Sequence, residues 1–243
     1  MTTIEPEHST KRGRTIAIGD IHGHVDALRR LIDEIQPQME DTIIPLGDYV
    51  NRGPDSCGVI QTLIELGEQC RVFPILGNHD EMMLDARRDK HALERFRYDG
   101  GDHTLASYAA DAWFYSSNLS FIPDSHWDFL NRCMPYVETE HYIFTHACFD
   151  PFVEMNQQPA RLLRWTTIDR QPPLPHVSGK LVIVGHSAEQ SVRHWGHVIC
   201  IDTACGFQGR LTAHEPATGM TWWVNERTEH RVATGSGRMT ARR

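Results

Sequence analysis

Residues 43–53 have the sequence IIPLGDYVNRG, in which an apolar run ends at a glycine that is followed at once by an aspartate. Two other stretches repeat this arrangement: IAIGDIHG at residues 16–23 and VFPILGNHD at residues 72–80. Short apolar runs bounded by glycine are typical of buried strands. Open α/β sheets carry their sites beyond the carboxyl ends of their strands. We therefore expect the polar residues that follow these three glycines to converge at one edge of a sheet.

Two histidines occupy similar positions later in the chain. His146 follows the run YIFT at residues 142–145, and His186 follows LVIVG at residues 181–185. If these runs are also strands, both imidazoles lie at strand ends, beside the polar residues of the first three blocks. The candidate metal ligands are then Asp20, His22, Asp48, Asn78, His146 and His186.

This ligand set indicates the kind of metal. Oxygen donors mixed with imidazoles suit divalent manganese, iron or zinc, and the set is too rich in nitrogen for calcium. The ligands are also too many for one catalytic metal with open positions, and they favour two metals that share a carboxylate. Such a pair lowers the pKa of a bridging water and holds a phosphoryl group for in-line attack. We expect manganese first, with iron or zinc as alternatives.

The segments between the blocks predict helices. Apolar residues recur at helical spacing over residues 25–35, and a second helix is expected to open at Pro54. A strand-helix-strand-helix-strand order with short connections implies parallel strands joined by right-handed crossovers. Residues 81–135 are predicted to be mainly helical, with a loop at 98–105 that leads into another helix. Further strands are expected at 141–145, 180–185, 197–202, 209–214 and 220–224.

Length and composition favour one domain, which we place at residues 14–228, with flexible tails at 1–13 and 229–243. The net charge of −8 argues against a nucleic-acid polymer as partner. There is no apolar run long enough to span a membrane, and the polar N-terminus lacks the apolar core of a signal peptide. We therefore expect a cytoplasmic protein with reduced cysteines. A zinc pair at Cys200 and Cys205 is the less favoured alternative, and the oligomeric state stays open.

The three blocks resemble the signature of the calcineurin-like metallophosphoesterases, and within them the phosphoprotein phosphatase type. That signature has the forms GD-x-HG, GD-x-V-x-RG and GNH-[ED], and all three occur in order. Residues 99–105, 201–203 and 209–213 resemble segments of bacterial members of this family. The resemblance covers residues 14–224 and implies an α/β fold in which two mixed β-sheets pack as a sandwich with flanking helices.

The resemblance also implies roles for particular residues. Asp20 and His22 would bind the first metal, and Asp48 would bridge both metals. His79 would be the general acid that protonates the leaving oxygen, and Arg52 would bind phosphate oxygens through its paired donors. The second metal would be bound by Asn78, His146 and His186.

The sequence departs from the family pattern at two places. Where the family usually has an aspartate that orients the general acid, this chain has Asn51. We expect Asn51 to accept a hydrogen bond from the imidazole but, having no negative charge, to stabilise the imidazolium less than an aspartate would. The diadenosine tetraphosphate hydrolase branch also tolerates a non-acidic residue there. Secondly, Thr167 stands where bacterial members often have another phosphate-binding arginine. Arg164 or Arg161 would substitute for it.

Three functions are compatible with these features. The first expectation is a metal-dependent serine/threonine protein phosphatase that acts on phosphorylated proteins. The alternative is a hydrolase of dinucleoside polyphosphates such as diadenosine tetraphosphate, because both reactions use the same metal clamp. A catalytically weak regulator that binds phosphorylated partners has only Asn51 in its favour.

Overall fold

The computed structural model describes residues 13–109, 119–225 and 230–233. The strands in chain order are β1 Thr15–Ile18, β2 Thr42–Pro45, β3 Arg71–Val72, β4 Tyr136–Glu138, β5 Tyr142–Thr145, β6 Leu181–Val184, β7 Arg193–His194, β8 Val198–Cys200, β9 Arg210–Glu215, β10 Met220–Asn225 and β11 His230–Ala233. The α-helices are α1 Val25–Ile35, α2 Ser56–Leu66, α3 Asn78–Ala86, α4 Lys90–Phe96, α5 Asp102–Tyr108, α6 Asp124–Arg132 and α7 Ala160–Trp165.

The strands form two mixed sheets, as predicted. One sheet has the order β11-β10-β9-β1-β2-β3, and the other has the order β4-β5-β6-β8-β7. Within the first sheet β1, β2 and β3 run parallel, while β9 pairs with β1 in the antiparallel direction. In the second sheet β5, β6 and β8 are parallel. The parallel strands of each sheet carry the predicted site residues just beyond their carboxyl ends.

The core consists of three apolar layers. The middle layer joins the two sheets through residues such as Ile44 and Ile183, which are both fully buried. A second layer packs α1 and α2 on the outer face of the first sheet, and a third covers the outer face of the second sheet with residues such as Leu163. The predicted sandwich with flanking helices is therefore confirmed, and its edges leave the strand ends free to form a site.

Several local predictions need correction. The third strand is only Arg71–Val72, since Pro74 has no N–H to donate and pairing resumes as a single bridge at Ile75. Helix α2 begins at Ser56 rather than Pro54, because Asp55 accepts the Gly58 N–H and caps it. The segment predicted as a loop at 98–105 is a helical kink at Arg97–Gly101 followed directly by α5.

Three short strands were not predicted: β4, β7 and β11. The last of these, His230–Ala233, pairs with β10 and lies within the tail that we expect to be flexible from residue 229. The rest of that tail and residues 1–12 of the N-terminal one lie outside the described residues. All six cysteines are free thiols. Among the described residues, no helix has the length and apolar character needed to cross a bilayer.

Candidate active site

The predicted ligands converge between the carboxyl ends of β1, β2, β5 and β6. Asp48 lies at the centre: its two carboxylate oxygens are 3.4 Å from His22 Nε2 and 3.5 Å from His146 Nε2. Asn78 belongs to the same cluster, because its Oδ1 lies 3.0 Å from His146 Nε2. The backbone N–H of His186 donates to the Asp20 carboxylate at 3.1 Å. All six residues that the sequence suggested as ligands are therefore grouped in one site.

An unusual backbone conformation aims these side chains into the site. Asp48, His22 and His186 all have φ between 49° and 62°, in the left-handed region that non-glycine residues seldom occupy. Asn51 and Arg52 have φ of 71° and 69°. Residues held in such sparsely populated conformations cluster at functional sites, where the surrounding fold enforces them.

The histidines are oriented by backbone carbonyls. His22 Nδ1 lies 3.0 Å from the Val50 carbonyl, and His146 Nδ1 lies 2.8 Å from the Leu46 carbonyl. Both Nδ1 atoms must therefore carry the proton and donate it, which leaves the lone pair of each ring on Nε2, the nitrogen that lies near Asp48. This arrangement is how proteins orient metal-binding imidazoles.

The electrostatics of the site suit bound cations. Burial raises the pKa of Asp20 well above its usual value, and the nearby carboxylates of Asp202 and Asp48 raise it further. Burial lowers the pKa of His22 to about 3 and that of His186 to about 4, so both imidazoles are neutral at pH 7. Carboxylates crowded together beside neutral imidazoles repel one another, and divalent cations would relieve that repulsion.

Within the part of the chain that the structure describes, two groups of side chains have the spacing needed to hold a metal ion. One consists of His22, Asp48 and His79, and the other consists of Asp48, His146 and His186. Within each group the donor atoms lie within 4.8 Å of one another. Because Asp48 belongs to both groups, the arrangement fits two ions that share one carboxylate. The donor set is therefore compatible with the binuclear centre expected from the sequence.

Arg52 and His79 lie beside the metal ligands. Arg52 places Nη1 2.5 Å from His22 Nε2 and Nη2 3.0 Å from His79 Nε2, so its guanidinium faces the space between the two rings. Burial lowers the pKa of His79 below its usual value and Arg52 lowers it further, against the opposing effect of Asp48. A guanidinium in this position can bind the oxygens of a phosphoryl group held at the site.

Asn51 contacts His79 as predicted, but with the opposite polarity. The Asn51 Nδ2 atom is 2.9 Å from His79 Nδ1 and 3.3 Å from the Asp99 carbonyl, which can only accept. The Thr104 hydroxyl donates to Asn51 Oδ1 at 2.8 Å. These partners turn the amide nitrogen towards the imidazole, so Asn51 donates to His79 and does not accept from it. The expectation that Asn51 would accept is wrong.

Arg164 is near the site but not free. Its Nη2 lies 3.1 Å from Glu81, which also accepts the Trp165 indole N–H at 2.6 Å. The Arg164 Nε atom is buried and makes no hydrogen bond, so it is available to a further acceptor. The alternative candidate Arg161, by contrast, is exposed.

Two buried carboxylates were not assigned roles from the sequence. Asp80 accepts N–H groups from Asp48 at 2.7 Å, Tyr49 at 2.9 Å and Gly77 at 3.0 Å, and so fixes the turn that carries Asp48. Asp202 lies beside Asp20, and burial raises its pKa to about 6. The sequence feature that could have identified Asp80 as a site residue is its position in the third block, directly after His79.

Comparison with known proteins identifies the class. The chain belongs to the calcineurin-like phosphoesterase family, whose model matches residues 13–198. The family and the fold are thus those that the sequence motifs predicted.

Particular relatives have narrower descriptions. A symmetrical bis(5'-nucleosyl)-tetraphosphatase from Acidovorax sp. strain JS42 is 47% identical over 70 residues, which are 28% of this chain and 24% of that protein. The corresponding enzyme of Burkholderia pseudomallei strain 668 is 41% identical over 69 residues, again 28% and 24% of the two chains. The match thus spans about a quarter of the length of these relatives.

Solved structures share the fold over most of the chain. A protein proposed to be a diadenosine tetraphosphatase superposes with a TM-score of 0.67 at 23% identity, covering 90% of this chain and 96% of that one. A serine/threonine phosphatase from Saccharomyces cerevisiae gives a TM-score of 0.59 at 16% identity, covering 86% and 75%. At these identities the comparison shows a common fold and no more.

Proposed function

We propose that this protein hydrolyses dinucleoside polyphosphates such as diadenosine tetraphosphate, with two divalent metal ions held by Asp20, His22, Asp48, Asn78, His146 and His186. The ions, when bound, would lower the pKa of an attacking water and neutralise charge on the phosphoryl group. We keep manganese as the first expectation for their identity. The named relatives support the nucleotide substrate more strongly than the serine/threonine phosphatase that the sequence suggested first.

The observation that carries this proposal is the hydrogen bond from Asn51 to His79. Both ring nitrogens of His79 face groups that can only donate: Nδ1 lies 2.9 Å from Asn51 Nδ2, and Nε2 lies 3.0 Å from Arg52 Nη2. These surroundings disfavour an imidazolium, which would carry a proton on each nitrogen, and a histidine that stays neutral releases a full proton poorly. The site is therefore better suited to a leaving group that needs little protonation.

Dinucleoside polyphosphates provide such a leaving group. Cleavage of a phosphoanhydride expels a phosphate, whose last proton has a pKa of about 6. Dephosphorylation of serine or threonine expels an alkoxide, whose conjugate acid is about as weak an acid as water and so has a pKa far above that of the phosphate. Arg52 would bind oxygens of the phosphoryl group and so would no longer face His79 Nε2, and His79 would then donate a hydrogen bond to the departing oxygen through Nε2–H. Arg164 would bind a further phosphate oxygen through its unbonded Nε. This role for Arg164 stays a prediction from the sequence.

The test is a comparison of kcat/KM on one metal-loaded sample for diadenosine tetraphosphate, a phosphoserine peptide and nitrophenyl phosphate. We expect diadenosine tetraphosphate to be the best substrate and the phosphoserine peptide the poorest. Equal or greater kcat/KM for the peptide would refute the proposal and restore the protein-phosphatase alternative. No turnover of any of the three would favour the binding-only regulator.

A further inference from the structure

A cavity of about 540 Å³ opens beside Arg52, close to the metal ligands. Its volume lies in the usual range for small-molecule sites. Arg52 contacts both His22 and His79, so this residue joins the cavity to the metal site. Among the residues that the structure describes, those that line the cavity include no acidic side chain; they are His24, Arg52, Gly53, Pro54, Gly206, Gln208 and Asn225.

One wall of the cavity is a tight loop between β8 and β9. Ala204 and Gln208 both have left-handed φ, at 65° and 64°, on either side of Gly206. A Cβ atom at Gly206 would lie 2.5 Å from the His22 ring, so only glycine lets the loop approach this closely. The strained backbone conformation therefore allows this loop to pack directly against the site.

The same loop fixes the position of Arg52. The guanidinium carbon of Arg52 lies 4.3 Å above the ring centre of Phe207, which is itself 62% exposed. A guanidinium over an aromatic face is held by attraction to the ring. Arg52 is thus kept at the mouth of the cavity with its donors turned towards His22 and His79.

We infer that this cavity binds one nucleoside end of the substrate. The inference rests on the proposed function. Arg52 lines the cavity and also contacts His22 and His79, so a group attached to a phosphate bound by Arg52 can extend into the cavity. The side-chain amides of Gln208 and Asn225 supply both donors and acceptors for ribose hydroxyls or base edges. Pro54 adds an exposed apolar surface.

The test compares substrates that share the phosphoanhydride bond but differ in the nucleoside. We would measure kcat/KM for diadenosine tetraphosphate and for inorganic tetraphosphate, and compare variants by the ratio of the first value to the second. Asn225→Trp fills the cavity, and Gln208→Asn shortens an amide while keeping a residue that tolerates the left-handed backbone. Met39→Trp is the matched control, because Met39 is 78% exposed and precedes β2 at the opposite end of the sheet.

We expect Asn225→Trp to lower the ratio by about tenfold or more, and Gln208→Asn to lower it by a smaller factor. The control should leave the ratio unchanged. Equilibrium binding gives a second readout: ADP should bind Asn225→Trp more weakly than wild type by a similar factor, with a much smaller change for inorganic phosphate.

An unchanged ratio in both cavity variants, with unchanged ADP binding, would overturn the inference while leaving the proposed function intact. An equal loss on both substrates would also overturn it, since the cavity would then support the site without recognising a nucleoside. If the wild-type protein cleaves phosphomonoesters but not diadenosine tetraphosphate, the proposed function itself fails.

Discussion

Replacing Asn51 with aspartate should reverse the hydrogen bond that this residue makes with His79. A carboxylate at the present 2.9 Å distance would accept from Nδ1 and stabilise the imidazolium. An opposite charge this close raises the pKa of a histidine by about one to three pH units. His79 would then hold its acidic proton to higher pH, and the alkaline limb of the kcat profile should move up by a similar amount.

The same change should cost stability. The Asn51 amide now donates to the Asp99 carbonyl at 3.3 Å, and a carboxylate oxygen there would face another acceptor. Loss of a hydrogen bond to this partly buried carbonyl costs about 0.5–1.5 kcal/mol. Chemical denaturation of the metal-free protein should therefore show Asn51→Asp to be less stable than wild type by an amount in this range.

The assay is a pair of pH–rate profiles on substrates that differ in leaving group. Asn51→Asp should raise kcat most for an alkyl phosphate, which needs protonation, and least for nitrophenyl phosphate, which does not. Asp99→Asn is a useful control, because it keeps the carbonyl and removes only an exposed carboxylate that raises the pKa of His79. Asp99→Asn should shift the alkaline limb of the kcat profile slightly to lower pH. If Asn51→Asp changes neither the limb nor the leaving-group dependence, His79 is not the proton donor.

Three further variants test the site. Arg52→Ala should reduce kcat/KM by roughly two to three powers of ten without changing metal content; an unchanged kcat/KM would mean that the arginine only braces its loop. Arg164→Ala should raise KM by about tenfold through loss of one charged phosphate contact, whereas Arg161→Ala, at an exposed neighbour, should match wild type in the same assay. Gly185→Ala should lower metal content in elemental analysis, because its Cβ would lie 2.2 Å from Asp20 Oδ1; full metal occupancy would show that the backbone can shift to accept it.

The sequence predicted those features that depend on neighbouring residues. The apolar runs before Asp20, Asp48 and Asn78 are local signals, and the strands and their polar ends follow from them directly. The convergence of the ends is a property of parallel strands in general. For the same reason, the roles of His146 and His186 as members of the site could be predicted from their positions after strands.

The features that escaped prediction depend on contacts between distant parts of the chain. The polarity of the Asn51 amide is set by Thr104 and the Asp99 carbonyl, about fifty residues away in sequence. The role of Asp80 in holding the Asp48 turn requires that β2 and β3 be neighbours. Phe207 looks like a surface residue in the sequence, and only the folded loop brings it beneath Arg52.

The two-metal site, with Asp48 shared between the ions, is tested most directly by elemental analysis of fully active protein alongside Asp48→Asn. The two groups of donors that meet at Asp48 predict two divalent ions per chain in the wild-type protein. Loss of the shared charge in Asp48→Asn should lower the content of both ions and abolish turnover. One tightly bound ion per chain in a fully active sample, or an Asp48→Asn variant that keeps both ions and its activity, would contradict the account.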